Sequence, residues 1–410
     1  MISIAILGYG TVGAGVAEVC SMNSAVIRER VGRTIDIRYI LDIRDFPDDP
    51  FVGRITRDAD LIINDPDISV VVEAIGGVSF AYEMTKRALA AGKHVVTSNK
   101  ELVASHGTEL IRMAIAHGVS YRFEASVGGG IPIIMPLHKS LAANLITRVA
   151  GILNGTTNYI LTRMENGGID FATALKEAQA NGYAEQEPAA DVEGYDTCRK
   201  IAILASICRG EFIDSTRIYT EGITAVTSQD IAYASQLGRK IKLLGIYQRI
   251  GELCNVMVAP MLVASTDPVA VASDVFNAIE VEGNALGTAM FYGRGAGRLP
   301  TASAVVADVI ECAVHIERIP HQVSWEDNGR NLLLDHNDSN TAVLLRFHGK
   351  TDPEAIEAAF KPYGLKQIES LFENECAYIV GKEGNLTEGK LAEILRPLET
   401  KLISRLRLYN

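Results

Sequence analysis

The sequence lacks closely spaced cysteines. Its cysteines lie far apart and form no Cys-x-x-Cys pair: Cys20, Cys198, Cys208, Cys254, Cys312 and Cys376. This spacing argues against a disulfide framework and against a structural zinc site. Met1–Leu7 is apolar without a preceding basic region, which argues against a secretory signal peptide. The sequence therefore predicts a protein of the reducing cytoplasm.

The sequence is also poor in positive charge and in long apolar runs. Its 39 Lys and Arg residues against 50 Asp and Glu residues give a formal net charge of −11. This balance argues against a nucleic-acid partner, because duplex binding depends on basic surfaces that neutralise phosphates. No apolar stretch approaches the roughly 18 residues that a membrane-spanning helix needs. The 410 residues instead predict a globular protein of two or three domains.

Short apolar segments alternate with helical patterns over residues 1–130. A helix is predicted at Tyr82–Ala91, ending at Gly92. Buried strands that alternate with helices predict an α/β fold with a doubly wound parallel sheet, which we expect residues 297–325 to complete. The candidate strands are Ile2–Leu7, Asp36–Leu41, Leu61–Ile63, Val70–Glu73, His94–Thr97 and Ser120–Phe123.

The pattern changes after residue 130. Residues 131–296 carry longer helical patterns, among them Asp191–Cys208, followed by strand-like segments, and predict an α+β domain for substrate binding and dimerisation. A polar linker at 335–341 precedes a third domain, 341–410, with the ferredoxin-like order βαββαβ. Its predicted elements are Ala342–Phe347, Pro353–Phe360, Leu365–Leu371, Ala377–Gly381, Glu388–Leu395 and Leu402–Tyr409.

A Gly-x-Gly-x-x-Gly motif follows the first strand and precedes a helical pattern. The first glycine permits a tight turn, the second lets the backbone approach a pyrophosphate, and the third allows close helix packing. An ordinary glycine-rich turn is the alternative, but the strand before and the helix after favour a dinucleotide on a Rossmann-type sheet. The residues concerned are Gly8, Gly10, Thr11, Val12 and Gly13.

Two charged residues after the second strand bear on the choice of dinucleotide. Asp42 could accept a hydrogen bond from a ribose 2′-hydroxyl, which favours NAD. Arg44 could bind a 2′-phosphate, which favours NADP. Two solvated loop charges are the third interpretation, and the sequence leaves the three open.

Acidic residues precede a single lysine in the segment Gly182–Lys200. Asp196 and Lys200 are four residues apart, so a helix would place the carboxylate and the ammonium on one face. A surface ion pair is the alternative, worth roughly 0.3–0.5 kcal/mol. The apolar positions that follow indicate a helix packed on a core, which makes a functional site equally plausible.

The order of the motifs resembles homoserine dehydrogenase. The resemblance covers residues 1–315 and is to the monofunctional form of the family. It implies the interconversion of L-homoserine and L-aspartate 4-semialdehyde with NAD or NADP, in the synthesis of threonine, methionine and isoleucine. The matching segments are Gly8–Gly13, Val71–Gly77, Thr97–Lys100, Glu124–Pro132, Gly151–Asn158 and Gly182–Lys200.

The resemblance also implies roles for individual residues. Lys200 matches the family's proton donor and acceptor, and Asp196 would orient it and contact the substrate. Glu185 and Asp191 match acids that bind the substrate ammonium group. Lys100 matches a lysine between cofactor and substrate, although a surface lysine after a strand is the alternative.

Two glycine-rich segments complete the implied site. Glu124 would bind sodium together with the backbone carbonyls of Val127, Gly129 and Ile131, whereas a plain interdomain hinge is the alternative without the family. Gly297 matches a glycine that approaches the cofactor, and a tight turn before a helix is its alternative.

The C-terminal domain is similar to an ACT regulatory domain, which in this family often senses threonine. The turn 350–355 lacks the glycine that such domains usually use to bring backbone to a ligand, so the module could serve assembly instead. We expect a homodimer or homotetramer formed through the second domain. The competing functions are another NAD(P) oxidoreductase on the same fold and a catalytically silent nucleotide or amino-acid sensor.

Overall fold

A computed structural model describes residues 1–317, 322–349 and 351–409. No helix in these ranges is long and apolar enough to cross a membrane. The described helices are α1 (Thr11–Met22), α2 (Ser24–Val31), α3 (Ala59–Ile63), α4 (Ser79–Ala90), α5 (Lys100–Ala116), α6 (Gly155–Gly167), α7 (Phe171–Ala180), α8 (Ala189–Val192), α9 (Tyr195–Arg209), α10 (Ser228–Gln236), α11 (Arg298–Val314), α12 (Pro353–Phe360) and α13 (Glu388–Leu395).

The described strands fall into two sheets. They are β1 (Ile2–Leu7), β2 (Ile35–Leu41), β3 (Ile55–Thr56), β4 (Ile68–Glu73), β5 (His94–Thr97), β6 (Tyr121–Arg122), β7 (Ile146–Ile152), β8 (Tyr219–Thr220), β9 (Arg239–Ile250), β10 (Leu253–Ala264), β11 (Phe276–Gly283), β12 (Gly287–Arg294), β13 (Val343–His348), β14 (Leu365–Ile368), β15 (Glu375–Val380) and β16 (Leu402–Leu408).

The chain divides into two compact units, and the division falls inside α9. The first unit comprises residues 1–146, 199–216 and 283–330, and the second comprises 147–198, 217–282 and 331–410. The three-domain boundaries proposed from the sequence stay a prediction. Residues 318–321, inside the predicted segment 297–325, lie outside the described residues.

The first unit contains the predicted doubly wound sheet. Its strand order is β3-β2-β1-β4-β5-β6, with every neighbouring pair parallel. This is the Rossmann order, in which a dinucleotide binds beyond the carboxyl ends of the strands where the order reverses. Leu7 pairs with both Leu41 and Glu73, so β1, β2 and β4 end at one edge. The predicted fold class is confirmed.

The second unit is built on a mixed sheet. Within it the strand order is β11-β7-β9-β10-β16-β13-β15-β14, and β8 pairs with β10. The last four strands show the predicted βαββαβ chain order and the antiparallel pairing of a ferredoxin-like sheet. Met261 and Leu262 pair with Arg407 and Leu408, so β10 joins this C-terminal module to the rest of the unit.

Two of the predicted elements are wrong. Leu61–Ile63 is the end of α3 and not a strand, because the Asp58 carboxylate accepts hydrogen bonds from the backbone N–H groups of Asp60 and Leu61 and so starts a helix. The predicted helix Asp191–Cys208 is two helices, α8 and α9. Gly194 separates them with a φ of +85°.

The predicted ligand turn of the C-terminal module is only partly described, because Lys350 lies outside the described residues. The Asp352 carboxylate accepts the N–H of Glu354 and begins α12 at Pro353. The hydroxyl of Thr351 donates to the carbonyl of His348. In both hydrogen bonds a side chain of the turn binds backbone within residues 348–354.

Candidate active site

The glycine-rich turn between β1 and α1 is tightly packed except at Gly10. A Cβ atom on Gly8, whose φ is +92°, would lie 2.6 Å from the carbonyl oxygen of Ala74. A Cβ on Gly13 would lie 1.9 Å from the carbonyl oxygen of Gly8, whereas a Cβ on Gly10 would meet nothing within 4 Å. Helix α1 begins at Thr11 without a side-chain cap. Its first N–H groups therefore suit a pyrophosphate.

The two charged residues after β2 bind each other. The Asp42 carboxylate accepts hydrogen bonds from Nε and Nη2 of Arg44, at 3.0 and 2.8 Å. It also accepts the backbone N–H of Tyr9 at 2.8 Å, which ties it to the glycine-rich turn. The Arg44 hydrogen bond holds the pKa of Asp42 well below its usual range. The Arg44 side chain remains 58% exposed, so it neutralises Asp42 while staying accessible to a ligand.

A buried glutamate connects the loops that follow β4 and β5. Glu73 is fully buried, and its carboxylate accepts the N–H of Ile75 at 2.6 Å and the hydroxyl of Thr97 at 2.5 Å. The Thr97 hydroxyl also accepts the N–H of Asn99, which caps α5. Lys100 is the first residue of that helix. The network therefore sets the backbone that carries Lys100.

Glu124 organises the loop predicted to bind a cation. Its carboxylate is buried and accepts the backbone N–H groups of Ile133, Ile134 and Met135 at 2.6–2.8 Å. Burial raises the pKa of Glu124, and these hydrogen bonds oppose that shift. The described ranges contain no group of three His, Cys, Asp or Glu side chains placed to hold a metal. A cation here would therefore depend on backbone oxygens.

The predicted carbonyl ligands fit such a cation. Val127, Gly129 and Ile131 are buried, and no hydrogen bond of the described residues ends on their carbonyl oxygens. Buried carbonyls without partners are costly, so a hard cation would satisfy them. A Cβ on Gly129, whose φ is +58°, would lie 2.1 Å from the carbonyl oxygen of Gly295.

Gly297 lies at the start of α11 with a φ of +127°. Few residues other than glycine adopt this conformation. Helix α11 packs on α1, because a Cβ on Gly15 would lie 2.7 Å from the carbonyl oxygen of Arg298. The late glycine segment thus lies in the same unit as the dinucleotide turn.

Asn154 joins two of the predicted substrate-binding acids. Its side-chain amide donates to Asp191 at 2.7 Å and to Asp196 at 2.8 Å. Its side-chain oxygen, Oδ1, accepts the backbone N–H of Thr157, so Asn154 also caps α6. Two carboxylates close together would repel, and the shared amide reduces that cost. Two carboxylates held side by side offer the acceptors with which an ammonium group pairs.

Lys200 lies one turn beyond Asp196 on α9, and both side chains are buried. The predicted i, i+4 spacing is therefore present on a single helix, with little of either charge at the surface. Glu185 is exposed in the loop before α8, and its backbone carbonyl accepts a hydrogen bond from Gln179. The structure thus brings Asp191 and Asp196 together through Asn154, and within the described residues no hydrogen bond or ion pair joins the Glu185 side chain to either acid.

Sequence reasoning missed the parts played by Asn154, Glu73 and Thr97. All three lie inside segments that carried the family resemblance, yet no role was assigned to them. An asparagine directly before a helical Gly-Thr-Thr-Asn pattern is a recognisable cap. Its contact with acids 37 and 42 residues later has no local signature.

Comparison with known proteins decides the family. Residues 8–124 match the family model of the homoserine dehydrogenase NAD-binding domain, and residues 132–310 match that of homoserine dehydrogenase. The homoserine dehydrogenase of Neisseria gonorrhoeae is 40% identical over 87% of this chain and 83% of its own length. The chain belongs to the homoserine dehydrogenase family.

Solved structures agree. A homoserine dehydrogenase from Thiobacillus denitrificans has a TM-score of 0.92 and 36% identity, over 100% of this chain and 98% of its own. A hyperthermophilic archaeal homoserine dehydrogenase in complex with NADPH has a TM-score of 0.66 and 27% identity, over 78% of this chain and 99% of its own.

Family membership makes the protein an oxidoreductase of amino-acid biosynthesis with a nucleotide-binding domain. The predicted interconversion of homoserine and aspartate semialdehyde is confirmed at the level of the family. The alternative of a silent sensor has no support from these matches.

Proposed function

We propose that Lys200 transfers the proton in this reaction. The observation that carries the proposal is the carboxylate pair held by Asn154, one helical turn from the buried Lys200. A nicotinamide dinucleotide, when bound, supplies or accepts the hydride. Reduction of the aldehyde also needs a proton at oxygen, which the Lys200 ammonium would donate; in oxidation the amine would accept it.

The other site residues would bind the substrate or the dinucleotide, or orient Lys200. Asp191 and Asp196 would pair with the α-ammonium group of homoserine, and Asp196 would also orient Lys200. Glu185 would reach the substrate from its exposed loop position. Lys100, fixed at the start of α5, would lie between substrate and dinucleotide. The dinucleotide contacts are proposed for Gly8, Gly10, Thr11, Val12, Gly13, Asp42, Arg44, Lys100 and Gly297.

Replacement of Lys200 tests the mechanism. We expect Lys200→Ala to lower kcat by a factor on the order of 10² to 10⁴, the usual range for losing general acid–base catalysis. Lys176→Ala, an exposed lysine of α7, is the matched control and should leave kcat unchanged. Homoserine oxidation is followed by the absorbance of the reduced nicotinamide. Near-normal turnover in Lys200→Ala would remove this residue from the mechanism.

The cofactor is proposed as NADP or NAD. The Asp42–Arg44 pair is compatible with both dinucleotides. The Asp42 carboxylate would accept a hydrogen bond from the ribose 2′-hydroxyl of NAD, and the exposed Arg44 side chain would bind the 2′-phosphate of NADP. The ratio of kcat/KM values with the two dinucleotides decides the preference. Failure of homoserine to support turnover with either would favour a different oxidoreductase.

We also propose a sodium ion on Glu124 and the carbonyls of Val127, Gly129 and Ile131. The buried carbonyls without partners support it. Exchange of sodium for a bulky organic cation should lower both Tm and activity, because the carbonyls would lose their ligand. Equal Tm and activity in the two salts, at the same ionic strength, would contradict the proposal.

We also propose a homodimer or homotetramer, a threonine effector and a cytoplasmic location. A homodimer or homotetramer through the second domain is tested by light scattering after gel filtration, where a monomer would refute it. The ferredoxin-like module supports a threonine effector, which is tested by assaying with and without threonine. The six free cysteines support a cytoplasmic location.

A further inference from the structure

A cavity of about 320 Å³ lies in the second unit between the core sheet and the C-terminal module. The sheet contributes Arg148 from β7 and Gln248 from β9. The linker contributes Asn340, and the module contributes Gly381 and the segment that ends at Tyr409. This volume is at the lower end of the range for small-molecule sites, roughly 300–1,000 Å³.

Arg148 is the cavity's available cation. Its guanidinium stacks on the Tyr409 ring, 4.4 Å from the ring centre. Within residues 1–317, 322–349 and 351–409, the Arg148 side chain donates no hydrogen bond and makes no ion pair, although burial raises the pKa of the nearby Glu280 carboxyl and the Arg148 charge lowers it. A planar guanidinium carries five N–H donors arranged to bind a carboxylate bidentately. The stacking on Tyr409 orients those donors without using them.

Arg407, the other arginine of the cavity, is already occupied. Its Nε donates to Glu388 at 2.7 Å, and its Nη1 donates to Glu221 at 2.5 Å. Its charge is therefore balanced by the protein itself. The contrast leaves Arg148 as the cavity arginine able to receive an anionic ligand.

The lining also includes Glu388, which is paired with Arg407, and three amide side chains. Gln248, Asn255 and Asn340 all line the cavity, and in the described part of the chain none of their side chains forms a hydrogen bond. Each offers both a donor and an acceptor. A ligand with polar groups beyond its charge would therefore find neutral partners near Arg148.

We propose that this cavity binds a small carboxylate-bearing molecule, with its carboxylate on Arg148. A carboxylate fits better than a larger polyanion, because one guanidinium is available and the other arginine is neutralised. The site lies at the start of β13, whereas the turn considered for a threonine effector follows the end of that strand. It is therefore distinct from both that turn and the Asn154 site, and its test does not depend on turnover.

Calorimetric titration of the full chain tests the proposal. The probes are acetate, succinate, L-alanine and L-aspartate, with inorganic phosphate as the other anion and sodium chloride at matched ionic strength. We expect at least one carboxylate to bind with one site per chain. Arg148→Gln should weaken that binding at least about tenfold, since a charged hydrogen bond is lost. The matched control Arg396→Gln, an exposed arginine of the same module, should bind like the unaltered protein.

Any of three results overturns the assignment: no binding of the four carboxylates, equal binding by Arg148→Gln, or phosphate binding as tight as that of every carboxylate. A second measurement covers the case in which Arg148→Gln does not fold. Phenylglyoxal modification of the unaltered protein, mapped by mass spectrometry, should be slowed by the bound carboxylate at Arg148 and not at Arg396. Equal rates at Arg148 with and without the carboxylate would also overturn it.

Discussion

At the scale of the residue, two buried carboxyl groups hold their protons unusually tightly. Burial raises the pKa of Glu73 to about 7 and that of Asp308 to about 7. In Glu73 the hydrogen bonds from Thr97 and Ile75 oppose the shift, and in Asp308 the nearby Glu124 adds to it. Both groups therefore favour the folded state most when they are protonated.

Glu73 should make stability fall as pH rises. Its contribution is fully present below the ordinary pKa of 4.5 and is lost as pH approaches about 7, because the folded state binds the proton more tightly over that interval. We expect Glu73→Gln to reduce the decline of Tm across this window. Asp308 remains titratable, so the slope should shrink without vanishing. The measurement is calorimetric Tm against pH.

Glu83, exposed on α4, provides the control for this experiment. Glu83→Gln changes the same formal charge at the surface and should leave the slope of Tm against pH unchanged. An unaltered slope in Glu73→Gln would show that Glu73 does not carry the proton uptake.

At the scale of the element, the break between α8 and α9 positions two acids. Asp191 ends up in α8 and Asp196 in the first turn of α9, with Gly194 between them. A Cβ on Gly194 would lie 3.1 Å from Thr220 and 3.2 Å from Val258, at a φ of +85°. A continuous helix would place the two carboxylates differently on its surface. The break at Gly194 therefore helps to place both carboxylates within hydrogen-bonding distance of Asn154.

We expect Gly194→Ala to destabilise the protein by about 1–3 kcal/mol, the usual cost of a side chain in strained backbone. It should also raise KM for homoserine, because the acids on either side of the turn would shift. The control is Gly210→Ala, which follows α9 at a φ of +71° with nothing within 4 Å. Gly210→Ala has the cost of a positive φ but lacks the close contacts that a Cβ at Gly194 would make with Thr220 and Val258.

The comparison is made with urea denaturation and steady-state kinetics. Both variants should lose stability, and Gly194→Ala alone should change KM. Equal KM values in the two variants would mean that the α8–α9 break does not position the substrate acids.

At the scale of the whole molecule, a buried ion cluster holds the C-terminal module within the second unit. Arg346 on β13 donates to Asp230 at 2.6 Å and to Glu375 at 2.9 Å. Asp230 belongs to α10 and also accepts the hydroxyl of Ser404 on β16. Through Arg346 and Asp230 together, this cluster connects a helix of the core to three strands of the module, β13, β15 and β16.

Removal of this cation should be costly. Arg346→Met leaves Asp230 and Glu375 without their positive partner, and we expect a loss of about 3–5 kcal/mol, the usual range for a broken buried pair. The double variant Arg346→Met/Asp230→Asn should recover part of that loss, since one of the two carboxylates is removed as well. The midpoint of urea unfolding checks both, and a single variant as stable as the unaltered protein would contradict the expectation.

The sequence by itself determined the parallel sheet, the glycine-rich turn and the βαββαβ order of the module. Apolar periodicity, glycines with fixed spacing and caps are local properties, so they can be recognised without coordinates. The same holds for the four-residue spacing of Asp196 and Lys200 on α9. The failures at Leu61–Ile63 and at Gly194 concern short segments where apolar residues fit a strand or a helix equally well.

Tertiary structure alone decided which polar groups meet. It stacked Arg148 on Tyr409. It brought Asn154 to two acids some forty residues away, as its contacts with positions 191 and 196 show. Such contacts join residues distant in the chain, and their energy depends on burial and on exact donor geometry, neither of which a pattern of residue types contains.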